Sequence, residues 1–484
     1  MATPKEAEAP PAPSGRKNPR RRLGSTWRAR LESALVNRDY ARLWYGQAVS
    51  SLGDYVFDTT LVLWVATDLA KGRTWAPAAV SGVLVATGAA VILVGPAAGV
   101  FVDRWSRRAI MLGSEAVRAV VVGLLAVLAF LPTHILPTAA WLALIYAVVF
   151  VVNSVGQFFS PARFAVIGQI VSGDADRARA SGIGQAATSA ASILGPPLAA
   201  PLLFTVGLQW ALILNALSYV ASFAAVRSVR LSSARPSAQQ RGSLRQDFVD
   251  GLRYFRRSRY LVALLTIAVV AQCGTGAMNA LDVFFVTGNL HTPARLYGFL
   301  STAFGVGAIL GALWSGRVVG LVGLRRTTWL GLIVCGALIC LYARQTDFSS
   351  GLVMLFVVAL PLMALETSLT PQILRAAPPE YLGRVMAVFN PINQAASMLS
   401  VAVAGSLAST LMRNFHAAVG PVHIGRIDTI FTASGLLIML AGVMACSLLP
   451  RDAASADPSS DEPDSADAAS DPEPPLGGPQ ADPA

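Results

Sequence analysis

The stretch Ala78–Val102, AAVSGVLVATGAAVILVGPAAGVFV, runs for 25 residues without a charged side chain. A bilayer's hydrocarbon core takes about 20 residues of apolar helix, so this stretch is long enough to cross it. Asp103-Arg104-Trp105-Ser106-Arg107-Arg108 follows at once and ends the run. Outward from there the alternation of apolar run and polar connection recurs. The pattern predicts helices at 43–67, 77–102, 109–131, 138–159, 181–204, 209–226, 261–287, 296–319, 326–343, 351–372, 385–411 and 428–449. Of the 484 residues, 54% are apolar and 13% charged, about half the charge of a soluble domain. The mean hydropathy is +0.55. This composition excludes a disordered chain, a disulfide-stapled secreted protein and an ordinary soluble enzyme. The expected fold class is all-α: a polytopic membrane protein with twelve transmembrane helices in two pseudo-symmetric six-helix bundles.

The net charge of +11 does not mark a nucleic-acid binder, because the basic residues sit at the ends of apolar runs. Only Lys5, Lys17 and Lys71 are lysines. An Arg-, Ala- and Gly-rich usage of this kind reads as coding bias in a GC-rich bacterium. The N-terminal tail and even-numbered loops, with the C-terminal tail, carry 31 of the 38 Lys/Arg, and the odd-numbered loops carry 6. Basic residues stay on the cytoplasmic side, so both termini are expected there, in a bacterial plasma membrane. The expected units are a basic disordered tail at 1–42, a six-helix bundle at 43–226, a cytoplasmic linker at 227–260, a second bundle at 261–449 and an acidic disordered tail at 450–484. Within the linker, Leu244–Tyr254 has the spacing of a surface-lying amphipathic helix. No cleavable signal peptide is read in residues 1–40.

The two halves carry matching marks. Ser160-Pro161 and Thr370-Pro371 are expected to end the fourth and tenth helices, Gly53 matches Gly274, and Arg107-Arg108 match Arg325-Arg326. Duplication of six helices places a substrate site at the interface of the repeats. Gly99, Asp103, Arg107 and Arg108 also sit where the major facilitator superfamily carries G-x-x-x-D-R-x-G-R-R, with Ser106 in place of a glycine. The opening Asn37-Arg38-Asp39-Tyr40-Ala41-Arg42-Leu43-Trp44, with Gln47 and Ser51-Leu52-Gly53-Asp54, resembles the enterobactin-exporter-like and macrolide-efflux-like branch. So do Ser160-Pro161-Ala162-Arg163 and Gly383-Arg384-Val385-Met386. The resemblance covers residues 37 to 449. It implies transport by alternating access, with Asp103 gating against the start of helix 11. Read without it, the DRWSRR loop is a topogenic signal only. Gly195-Pro196-Pro197-Leu198-Ala199-Ala200-Pro201 resembles an antiporter motif of that superfamily, with two alanines for glycines. It also reads simply as a weakened, closely packing helix.

Acids inside a bilayer are costly and mark function by default. Asp54 and Asp58 lie four apart and share a face of helix 1. Two such carboxylates cannot both ionise cheaply in a dry cavity, so together they make a proton-coupling candidate. Otherwise Asp54 is a structural hydrogen-bonder and Asp58 a charge at the cavity mouth. Glu366 near the inner end of helix 10 is a third proton-coupling candidate. Asp282, near the outer end of helix 7, reads as facing water. Glu115 and Arg118, three apart on helix 3, are expected to pair with each other or to join the gating network. Polar residues Gln47, Asn153, Gln157, Asn279, Asn390 and Asn393 are candidate substrate-cavity lining, or hydrogen bonds between helices.

Four cysteines and four histidines show no metal-ligand spacing, and no phosphate loop appears. No cofactor, metal or enzymatic chemistry is expected. The expected function is a secondary transporter, a proton-coupled exporter of a drug-like or siderophore-like small molecule. An importer or uniporter of the same fold, and a non-transporting receptor or scaffold, are the alternatives. Small-molecule substrate, protons and lipid are the expected partners of a monomer.

Overall fold

The computed structural model describes residues 36–229, 252–253, 255–376, 379–412, 415–419 and 422–450. The tails and most of the linker, including nearly all of Leu244–Tyr254, lie outside the described residues. The first six long helices are α1 (Arg38–Trp64), α2 (Ala76–Arg104), α3 (Arg107–Leu128), α4 (Thr138–Ile170), α5 (Asp174–Pro201) and α6 (Leu208–Ser228). They are followed by α7 (Arg259–Gly288), α8 (Tyr297–Val322), α9 (Leu324–Tyr342), α10 (Phe348–Ala376), α11 (Pro379–Ser409) and α12 (Arg426–Leu448). A short antiparallel hairpin, β1 (His416–Val419) with β2 (Val422–Gly425), joins α11 to α12. Ten helices among the described residues are long and apolar enough to cross a membrane. α1 is not one of them, because it carries Asp39, Arg42, Asp54 and Asp58.

Several helix ends differ from expectation. α1 starts at Arg38, because the Asn37 side chain accepts a hydrogen bond from the Tyr40 amide and caps the helix there. Pro161 and Pro371 do not end their helices, and α4 and α10 run on to Ile170 and Ala376. A proline removes one helical hydrogen bond, and packing against neighbours outweighs that loss in a bundle. α5 likewise continues through Pro196, Pro197 and Pro201 into a π-helical turn at Leu202–Val206.

The packing pattern repeats six helices on. α1 packs on α5 and α6, α3 on α4 and α6, and α2 on α4; α7 packs on α11 and α12, α9 on α10 and α12, and α8 on α10. The first six helices meet the last six mainly through α2 with α11 and α5 with α8. Small residues permit these crossings. A Cβ on Gly405 would strike Ser81, and one on Gly298 would strike Pro197. Both contacts lie at the end of the bundle opposite the termini. One core cluster gathers Phe57, Trp64, Trp141 and Tyr219, and a counterpart stacks Phe285 on Phe431 at 4.9 Å. Large apolar side chains are exposed in helical stripes, as at Val117, Val120, Leu124 and Val127 on α3. Such stripes suit a lipid-facing surface.

Candidate functional site

Two glycines bring α1 against α6. A Cβ on Gly46 would meet Ala225, and one on Gly53 would meet the Asn215 and Ser218 side chains at 2.5 Å. The residues next to these glycines, Gln47 and Asp54, therefore come within hydrogen-bond reach of α6. The Tyr219 hydroxyl donates to the Asp54 carboxylate. The Arg118 Nη1 lies 3.9 Å from Asp54 Oδ2. Its guanidinium stacks over the Tyr219 ring at 5.3 Å, and its Nε donates to the Val152 carbonyl at 3.2 Å. Arg118 occupies the space above Gly156, where any Cβ would collide with its Nη2. Side chains of α1, α3 and α6 thus meet at one carboxylate, and α4 seats the arginine. The Arg118 side chain is 12% exposed and that of Asp54 35%, so the acid is reachable while its partner is packed. Asp58, one turn on from Asp54, lies in electrostatic range of both.

A second chain of contacts adjoins the first. Glu115 is 0% exposed. Its Oε1 accepts from the Ser222 hydroxyl at 2.9 Å, and Gln47 Nε2 donates to that hydroxyl oxygen at 3.0 Å. Arg163 Nη1 donates in turn to Gln47 Oε1 at 3.4 Å. Glu115 Oε2 and Arg163 Nε are buried without a hydrogen-bond partner. The expected Glu115–Arg118 pair makes no direct salt bridge: the direct contacts of Arg118 go to Asp54 and Val152 and that of Glu115 to Ser222, while the two charges stay in electrostatic range of each other. Helical spacing shows which residues share a face, but not which neighbouring helix each of them meets.

Other expected site residues fall elsewhere. Glu366 is exposed on α10, which packs on α8 and α9 and does not join the Asp54 cluster. Asp282 does not simply face water, since the Tyr342 hydroxyl donates to it at 3.1 Å. Asn153 and Asn393 donate to carbonyls of their own helices, Val149 at 2.9 Å and Phe389 at 3.1 Å. Gln157 reaches the Asn153 carbonyl at 3.5 Å. Asn279 and Asn390 are exposed. Gly99 and Asp103 sit in the last turns of α2, with their side chains outside the described residues. Arg108, beside Arg107 at the start of α3, donates to the Arg227 carbonyl at the end of α6. The opening motif ties a corner together: Asn37 donates to the Ile170 carbonyl and Tyr40 to that of Ala180.

Sequence reasoning missed Tyr219, Ser222 and Gly156, and met Arg163 only within the resemblance at residues 160–163. The signal for the first two was available. Asn215, Ser218, Tyr219 and Ser222 form a polar stripe at i, i+3, i+4 and i+7 along an otherwise apolar helix. No such spacing marks Gly156, whose role depends on a side chain from another helix.

Comparisons with known proteins agree with this architecture. A family model described as transmembrane secretion effector matches residues 32–467. Macrolide efflux protein A of Streptococcus pyogenes is 24% identical over 390 residues, covering 76% of this chain and 89% of that relative. The multidrug efflux pump Tap of Mycolicibacterium fortuitum is 26% identical over 368 residues, covering 73% of this chain and 83% of the pump. Among solved structures, the nucleoside transporter NupG superposes with a TM-score of 0.66 at 11% identity, covering 85% of this chain and 99% of NupG.

Proposed function

Because the chain belongs to the transmembrane secretion effector family of major facilitator transporters, we propose that it is a proton-coupled exporter of a drug-like or siderophore-like small molecule. On this reading all twelve long helices cross a bacterial plasma membrane as two six-helix bundles, with both termini in the cytoplasm. α1 and α11 join the ten apolar spans as polar, cavity-lining helices. The repeated packing pattern supports two bundles that rock about their shared interface. The contacts at Ser81–Gly405 and Pro197–Gly298 support a resting state closed at the end opposite the termini. The chain acts as a monomer.

One observation carries the coupling: a reachable Asp54 held between the Tyr219 hydroxyl and the Arg118 guanidinium, with Asp58 one turn away. An ionised Asp54 is compensated by Arg118, whereas a second ionised carboxylate at Asp58 adds repulsion. A proton taken by the pair removes that repulsion, and a cationic substrate competes with the proton for the same charge. Glu115, fully buried, extends the polar cluster beside the pair through Ser222 to Gln47. Glu366, off this cluster, is the reserve coupling site. Export rather than import rests on the efflux relatives.

The test uses everted vesicles with an imposed pH gradient and two probes, a macrolide and a cationic dye. Wild type should concentrate at least one probe while dissipating the gradient. The Asp54→Asn, Asp58→Asn double variant should bind the probe yet fail to concentrate it. Uphill accumulation by that variant would move coupling elsewhere, with Glu366 next to be replaced.

A further inference from the structure

A cavity of about 490 Å³ opens at the end of the bundle opposite the termini. That volume falls within the range of small-molecule sites, about 300–1,000 Å³. Its walls come from both halves of the chain. The turn between α1 and α2 supplies Lys71 and Arg73, the π-helical turn after α5 supplies Phe204, α7 supplies Val283 and Phe284, and the first residue of α12 supplies Arg426. Three cations thus border an apolar floor.

The positions of these cations are informative. The odd-numbered loops hold only 6 of the 38 Lys/Arg of the chain, and three of those six line this one cavity although the α1–α2 turn and α12 are far apart in sequence. Lys71 is also one of three lysines in the chain. Membrane insertion selects against cations on that side, so their convergence calls for a local reason. No carboxylate lines the cavity. Asp68, nearby in sequence, accepts from Trp64 Nε1 at 3.1 Å. Asp428 accepts from the Asn289 side chain and the Gly425 amide. Arg426 gives one N–H to the Ala408 carbonyl at 3.3 Å, which leaves donors of its guanidinium for a ligand. The α2 helix begins at the cavity wall, at Ala76, with no acid in its first turn, so its positive end adds to the field, whereas Asp428 caps the start of α12.

We propose that this cavity binds an amphipathic organic anion, with its phosphate or carboxylate head between Lys71, Arg73 and Arg426 and its apolar tail against Phe204, Val283 and Phe284. The inference is independent of the export reading. The site spans both halves beside their contact at Ser81 and Gly405, so an occupant favours the state in which that end is closed. The same chemistry is offered by an anionic phospholipid of the adjoining leaflet and by a soluble amphiphile, and competition separates the two.

The full chain, in nanodiscs of phosphatidylcholine, is exposed to a decyl phosphate carrying a diazirine in its tail and then irradiated. Labelling is expected on the peptides holding Phe204 and Phe284. It should fall by about tenfold in the Lys71→Gln, Arg73→Gln, Arg426→Gln variant, since charged contacts of this kind contribute over 1 kcal/mol together. Phosphatidylglycerol in the disc competing at low mole fraction identifies a lipid, and unlabelled decyl phosphate competing alone identifies a soluble anion. Decanol and inorganic phosphate should not compete. If the triple variant folds poorly, the single Lys71→Gln and the charge-keeping Lys71→Arg give the same contrast. Labelling spread over other peptides, or unchanged by charge removal, overturns the site.

Discussion

Gly156 is the residue on which the Arg118 position depends, because the guanidinium lies where any side chain on residue 156 would begin. Gly156→Ala should therefore displace Arg118 from Asp54. The expected cost is about 1–3 kcal/mol of stability, as for other overpacked sites, together with loss of uphill transport. Gly113→Ala, inside α3 with nothing within 4 Å of the added methyl, should leave transport unchanged and add about 0.5–1 kcal/mol of stability. Denaturant unfolding and vesicle transport measured on both variants check this. Tyr219→Phe is milder. It keeps the ring under Arg118 but removes the donor to Asp54, so about 1 kcal/mol should be lost and coupling weakened more than binding. Unfolding midpoints, with probe affinity compared against accumulation, distinguish these effects. At this scale the acids were legible in the sequence, since a carboxylate in an apolar helix stands out. Their partners were not, because hydroxyls are common in such helices and Arg118 finds its carboxylate on another helix.

Two arginines do the same work at corresponding places in the helix order. Arg108 at the start of α3 donates to a carbonyl at the end of α6, and Arg325 at the start of α9 donates to the Leu449 carbonyl just past the end of α12 at 2.8 Å. A cation there satisfies carbonyls that the helix leaves unpaired and meets its negative end. Arg325→Gln should fray the last turn of α12 and leave α6 intact, and Arg108→Gln should do the reverse. Hydrogen exchange should show faster exchange at residues 444–448 in the first variant and at 224–228 in the second. Equal protection in variant and wild type would remove the capping role. The repeat was legible in the sequence through such marks: Gly53 faces α6 and Gly274 faces α12, as their matched positions implied. Helix ends were less legible. Pro161 and Pro371 read as stops, yet packing carried both helices past them.

The asymmetry of charge and the asymmetry of contact are separate facts about the whole molecule, and together they predict a resting state. The excess of basic residues on the termini side leads us to propose that this side is cytoplasmic. Contact between the halves at Ser81, Gly405, Pro197 and Gly298 lies at the other end. On α5, Ser181 near the termini side is exposed, whereas Ser81 on α2, at the contact, is 3% exposed. A cysteine at residue 181 should therefore react with a membrane-impermeant maleimide in everted vesicles but not in intact cells. A cysteine at Trp75, exposed just before α2, should react in intact cells, and one at Gln240 in the linker only after lysis. A cysteine at Ser81 should stay silent from both sides at rest and become reactive from outside during turnover, when the contact opens. Cys446, exposed near the end of α12, is replaced by serine in every strain so that it does not contribute. Labelling at 240 in intact cells would reverse the orientation. Labelling at 81 at rest would mean that the end opposite the termini is already open.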